Sequence, residues 1–171
     1  RKGKQTVVFE NPPTIFETAS TVGKKEGEGP LASEFDVILD DDYYGEKSWE
    51  KAESKMQEET ARLALSKAGL SEKDVNFILA GDLLNQCVGA HYAMRDMNIP
   101  FLGLYGACST SGEGIILSSI MVRHKIFDRC AVVTSSHNCA AERQYRTPIE
   151  YGGQRTPTSQ AASSITRATN R

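Results

Sequence analysis

The chain is 171 residues long, with 20 Lys+Arg against 22 Asp+Glu, a formal net charge of −2, and 39 % hydrophobic residues. At about 150 residues per domain this is one domain or a part of a larger one, long enough to bury about two thirds of its unfolded surface without staples. The near-neutral balance gives no basic face for nucleic acid, and no apolar run approaches the ~18 residues of a membrane span. The richest run, Ile115 to Val122, is interrupted by Ser118 and Ser119, and Arg1 to Thr6 lack the layout of a secretory signal.

In chain order, Gly3 to Phe9 and Thr14 to Val22 are β-branched and aromatic segments split by Pro12-Pro13, and predict short strands. Lys24 to Pro30 and Asp40 to Gly45 read as loops. The Asp40-Asp41-Asp42 triplet lacks the alternating spacing and downstream Glu of a calcium loop, and reads as a solvated acidic turn. Ser48 caps the clearest helix, with Trp49, Ala52, Met56 and Leu63 on one face and Gly69 as its stop. Val75 to Ala80 predicts a strand ending at Gly81-Asp82, Gln86 to Met97 a weaker helix, and Phe101 to Tyr105 the next strand. Gly106-Ala107-Cys108-Ser109-Thr110-Ser111 then leads into a helix over Gly112 to His124. Cys130 to Thr134 is a buried strand that ends in Ser135-Ser136-His137-Asn138. Tyr151 to Arg171 has no acidic residue and almost no large apolar side chain, and reads as a tail.

Strands alternating with helices imply an α/β fold of βαβ units with a mostly parallel sheet, whose ligand site lies on the loops leaving the carboxyl ends of the strands. Three polar clusters occupy such positions. Cys108 stands between a strand and a helix, where unpaired N–H groups and a partial positive charge favour a thiolate or a ligand carboxylate. A buried packing cysteine with Ser109 as cap fits the same spacing. His137 could act as a base or a donor to an anion, but a lone His in a polar turn is more often structural, capping the loop. Asp82 with Asn85 orders the loop beside it, more readily than it serves as a general acid. Glu142 to Arg146 and Glu150 to Gln154 read as a solvated loop, from which Arg143 or Arg146 could clamp a dianionic ligand. The four cysteines show no CxxC pair and no zinc-ligand spacing, so they read as free thiols, and no metal site or cofactor is expected. His91 and His124 fall on helices as surface or boundary residues.

Together these segments resemble the stage V sporulation protein AD family, a spore-former branch of the thiolase-like superfamily. The matching stretches are Gly3 to Thr6, Val8 to Pro12, Gly29 to Leu31, Trp49 to Glu53 and Leu79 to Gln86. They continue with Gly106 to Ser111, Thr134 to Asn138 and Glu150 to Gln154, so the resemblance runs from about Gly3 to Gln160. It implies the N-terminal half of a thiolase-like fold over 1–160, a divergent disordered tail over 161–171, and no second half. The chain is therefore expected to be truncated, frameshifted or partial, and to aggregate or find a partner through the exposed apolar surface of the Gly112 to His124 helix.

The resemblance also implies a binding role rather than catalysis. The ligand is dipicolinic acid (pyridine-2,6-dicarboxylate), free or as its calcium chelate, taken up into the developing spore and released in germination. The partners implied are the other membrane proteins of the same operon, with a homo-oligomer left open, and the location is peripheral on the forespore or spore inner membrane. Candidate ligand contacts are Cys108, Ser109, Thr110, Ser135, Ser136, His137 and Asn138, with Asp82, Arg143 and Arg146 further out. Two alternatives stay open: an acyl transferase of the thiolase or ketoacyl-synthase kind with Cys108 as nucleophile, and a purely structural subunit of a membrane complex.

Overall fold

The computed structural model describes residues 2–145 and 167–170. Ala19–Val22 (β1), Val37–Ile38 (β2), Phe77–Gly81 (β3), Phe101–Gly103 (β4), Cys130–Thr134 (β5) and Arg167–Asn170 (β6) form one six-stranded sheet in the order β2-β1-β6-β5-β3-β4. The β1–β2, β3–β4 and β3–β5 pairs are parallel, while β6 runs antiparallel to both β1 and β5. Helices α1 (Lys24–Gly27), α2 (Trp49–Lys67), α3 (Val88–Arg95), α4 (Thr110–Arg123) and α5 (Asn138–Tyr145) connect them.

Strand alternation divides the core in two. Ile78, Ala80 and Val133 face Ala61 of α2 and Ala90, Ala93 and Met94 of α3. Leu79 and Val132 point the other way, packing with Leu104, Leu117 and Met121 on the α4 side. Burying side chains such as Ile78 and Leu79, both 0 % exposed, stabilises the sheet by about 2 kcal/mol each. Only one face of α4 finds such cover, and Ile116 and Ile120 remain exposed.

Helix α2 follows the expected pattern at its ends. The Ser48 hydroxyl accepts the Lys51 N–H at 3.3 Å, and Gly69 lies just past the helix at φ 67°. Its buried face differs from the expected one. Ala52, Met56 and Ala61 are joined there by Glu53, Gln57 and Thr60, whereas Leu63 is only half-buried. The Gln86 to Met97 helix is interrupted. Gln86 and Cys87 take left-handed φ values of 61° and 53° in a single turn over Asn85–Cys87, and α3 starts only at Val88. The Cys87 thiol donates to the Leu104 carbonyl at 3.0 Å, which holds the break in place.

Several further segments depart from expectation, among them Lys24–Gly27, read as loop and helical as α1. Gly3 to Phe9 is not a strand: an isolated bridge joins Lys2 to Thr6 across Gly3 at φ 71°, and Val7 and Val8 stay exposed. β-Branched residues form a strand only where an edge offers partners, and of Thr14 to Val22 only Ala19–Val22 finds one. The short strand β2 falls in a stretch with no predicted element. The polar stretch expected as a loop is helical to Tyr145 as α5. Arg167–Asn170, placed by composition in a tail, is a strand between two edges, where backbone hydrogen bonds substitute for large apolar side chains. Arg146, Glu150 to Gln154 and the rest of that tail lie outside the described residues.

Candidate functional site

The three polar clusters at the carboxyl ends of the strands meet around Gly81, the last residue of β3. Its carbonyl accepts the Ser135 N–H at 3.1 Å and the Gln57 amide at 2.9 Å. On its other side, a side chain at this position would stand 2.2 Å from the Leu104 carbonyl oxygen and 2.6 Å from Thr110 Cγ2. Only glycine lets β3 approach the β4–α4 connection this closely.

Asp82, 1 % exposed, is consumed by the fold. Its carboxylate oxygens accept the Leu84 and Ala90 N–H groups, both at 2.7 Å, and so hold the break before α3. Burial raises its pKa, against the lowering effect of those two bonds.

The Cys108 bend lies on the α4 side. Ala107 takes φ 47°, a conformation that costs a non-glycine residue about 1 kcal/mol, and it turns the exposed Cys108 and Ser109 out at the head of α4. Ser109 does not cap the helix. Its hydroxyl donates back to the Gly106 carbonyl at 2.6 Å. Thr110 is buried, its hydroxyl accepting the Gly106 N–H at 3.1 Å, so it braces the bend from inside. The Glu113 carboxylate stands over Gly106, 2.6 Å from where a side chain there would begin. The alternative of a buried packing cysteine does not describe Cys108; it describes Cys87, which is buried.

The β5–α5 loop turns to the opposite face. Ser135 is buried and donates to Glu53 Oε1 at 2.7 Å while accepting from Gln57 at 2.8 Å. His137 is 2 % exposed. Its Nε2 lies 2.7 Å from the Asp42 carbonyl, which only accepts, and its Nδ1 accepts the Ala140 N–H at 3.4 Å. These contacts fix the neutral tautomer with the proton on Nε2. Burial lowers its pKa further, with the Asp42 contact opposing. Ser136 and Asn138 are half-buried.

The candidates thus separate. Cys108 and Ser109 stand open on one face, Ser136 and Asn138 remain partly accessible, and Thr110, Ser135, His137 and Asp82 are bound into the interior. Arg143 is bound as well: its guanidinium pairs with Glu50 at the first turn of α2 and lies 5.1 Å from the Trp49 ring centroid. Burial raises the pKa of Glu50, but the hydrogen bond from Arg143 and the others outweigh it and the net direction is down. An Arg so paired is not a free clamp for a dianion. Two cavities among the described residues, each about 360 Å³, are lined by neither Cys108 nor His137. Among the described residues no group of three or more His, Cys, Asp or Glu could hold a metal ion.

Sequence reasoning missed Glu53 and Gln57. Their spacing of four, in step with the buried Ala52, Met56 and Ala61, was the signal that could have placed them inward.

Comparison with known proteins adds three findings. The model of the family described as stage V sporulation protein AD matches residues 3–169, which carries the likeness through β6 and past Gln160. The stage V sporulation protein AD of Bacillus subtilis (strain 168) is 46 % identical over 164 residues, 96 % of this chain and 48 % of that protein, so the chain spans about half the length of the curated relative it matches. Among solved structures, 3-oxoacyl-(acyl carrier protein) synthase III of Xanthomonas oryzae pv. oryzae superposes with a TM-score of 0.58 at 14 % identity, covering 96 % of this chain and 56 % of that one. The same enzyme from Aquifex aeolicus VF5 gives 0.51 at 12 % identity, with coverages of 91 % and 52 %. These likenesses give the fold alone: an α/β half of the thiolase-like kind.

Proposed function

The chain belongs to the stage V sporulation protein AD family, and from that premise we propose that it binds dipicolinate at the Cys108 bend and leaves it chemically unchanged. The observation that carries this reading is the exposure of Cys108 and Ser109 at the head of the 14-residue helix α4. The turn before this helix already pairs the Ser109 and Thr110 N–H groups with the Gly106 and Ala107 carbonyls, and the partial positive charge at the helix start favours a carboxylate. Ser109 lies there with its hydroxyl proton turned to the Gly106 carbonyl, and Ser136 and Asn138 lie partly accessible at the next strand end. Glu113, standing over Gly106, repels a free dianion and favours the calcium chelate, in which the metal offsets the two carboxylates.

What supports binding over catalysis is His137. Both ring nitrogens have backbone partners, and the ring lies with Ser135 on the α2 side, so it is not placed to take a proton from Cys108. The chelate would be handed on within a membrane protein complex, in uptake into the developing spore and release in germination. No helix among the described residues is long and apolar enough to cross a membrane, and attachment to the spore inner membrane would run through protein partners.

Calorimetric titration of the chain with dipicolinate, with and without calcium, tests the reading. A saturable heat is expected, stronger with calcium, and Cys108→Ser should change the affinity by less than about threefold, because the thiol only touches the ligand. Ser109→Glu, which adds a second carboxylate to the bend, should weaken binding of the calcium-free dianion by about tenfold or more. No heat in either condition overturns the proposal. A stable acyl adduct on Cys108, found by intact mass after incubation with an acyl thioester, favours the acyl-transfer chemistry of the structural neighbours instead.

A further inference from the structure

Glu53 and Gln57 sit one turn apart on α2, 1 % and 0 % exposed. The Gln57 amide hydrogens go to the Gly81 carbonyl at 2.9 Å and Ser135 Oγ at 2.8 Å. Flipping the amide would set its oxygen against that carbonyl, so the orientation is fixed. The single Ser135 hydroxyl proton goes to Glu53 Oε1 at 2.7 Å, and the His137 backbone N–H also donates to the Glu53 carboxyl. Gln57 Oε1 is left buried with no donor. Buried acceptors are almost always paired, and this cluster is short of one hydrogen.

We propose that Glu53 supplies it: the carboxyl is held as the neutral acid, its O–H donating to Gln57 Oε1, so that a closed set of hydrogen bonds latches α2 to the end of β3 and to the loop presenting Ser136 and Asn138. The charges around it agree. Asp82 at the end of β3 and Glu50 on α2 both act on Glu53 as like charges. Arg143 of α5 is turned to Glu50, and the neutral His137 ring is turned to Asp42 of the preceding loop. No cation is among the largest influences on Glu53: burial, the largest, with Asp82 and Glu50 behind it, lifts its pKa from 4.5 to about 8 against the Ser135 and His137 hydrogen bonds, which lower it. The latch does not depend on what the exposed bend binds.

Because the folded chain holds this proton more tightly than the unfolded chain does, the stabilisation is complete below pH 4.5 and is lost as pH rises through about 8. Thermal unfolding from pH 5 to pH 9 tests it. The wild-type chain should lose roughly 5–10 °C more in Tm over that range than Glu53→Gln, whose amide keeps the shape and a donor but cannot ionise. Equal pH dependence in the two chains overturns the proposal. Should Glu53→Gln fail to fold, infrared difference spectra of the wild type decide: the carbonyl band of a protonated, buried carboxyl should persist at pH 7 and fall by half near pH 8. If ionised carboxylate alone is seen at pH 7, the latch does not exist.

Discussion

Gly81→Ala is expected to be among the most damaging single substitutions in the chain, costing about 3 kcal/mol or roughly 6–12 °C in Tm. The new methyl would start 2.2 Å from the Leu104 carbonyl oxygen and 2.6 Å from Thr110 Cγ2. The first of these is backbone and cannot swing aside. Moving it would strain the Leu104 N–H bond to Ala80, 2.8 Å long, and the Gly106–Thr110 contact that shapes the bend. The strand end would also shift under Ser135 and Gln57, both bonded to the Gly81 carbonyl. Gly112→Ala is the control. It lies in α4 with nothing within 4 Å of a new Cβ, and should stabilise by about 0.5–1 kcal/mol through helix propensity. A Gly81→Ala chain melting within about 2 °C of wild type would mean that the three loops do not meet at this residue.

The sheet and its central helices were legible because hydrophobic period and punctuation agree there. Ser48 and Gly69 bracket α2, and Cys130–Thr134 is an apolar run of strand length. The ends of the chain were not legible, for opposite reasons. Val7 and Val8 have strand propensity but no edge to join, whereas Arg167–Asn170 have little propensity and two edges waiting. Pairing is a property of the partner, and a single sequence does not display the partner.

The gathering of the polar strand ends was legible, and the direction each side chain takes there was not. All three strand-end clusters do gather at Gly81, as the parallel topology requires. Alternation along the strands then decides which face each residue serves. Leu79, Gly81 and Val132 look toward α4 and the Cys108 bend, and Ile78, Ala80, Val133 and Ser135 look toward α2. His137, adjacent in sequence to an accessible serine and asparagine, is turned inward to a carbonyl from the acidic loop. Polar residues such as Ser135, Glu53 and Gln57 look like surface in composition. They are interior here because each answers another's hydrogen-bonding need, a condition visible only once the helix and the loop are face to face.

Asp82 offers the other large effect, and separates a residue that holds the fold from one that serves a ligand. In Asp82→Asn the one remaining carboxamide oxygen can answer Leu84 or Ala90 but not both, and the new amide group confronts the second N–H. Leaving a buried donor unpaired and losing a charged acceptor should cost about 3 kcal/mol, seen as a fall in Tm of roughly 6–12 °C with loss of α3 helicity. Had Asp82 served as an acid toward ligand, the substitution would alter binding and leave Tm unchanged. The same variant reports on Glu53. Asp82 is the nearer of the like charges by effect, so its neutralisation should make Glu53 easier to ionise and move the infrared midpoint below that of the wild type. An unmoved midpoint in a folded Asp82→Asn chain would show that the charge of Asp82 is not what keeps the proton on Glu53.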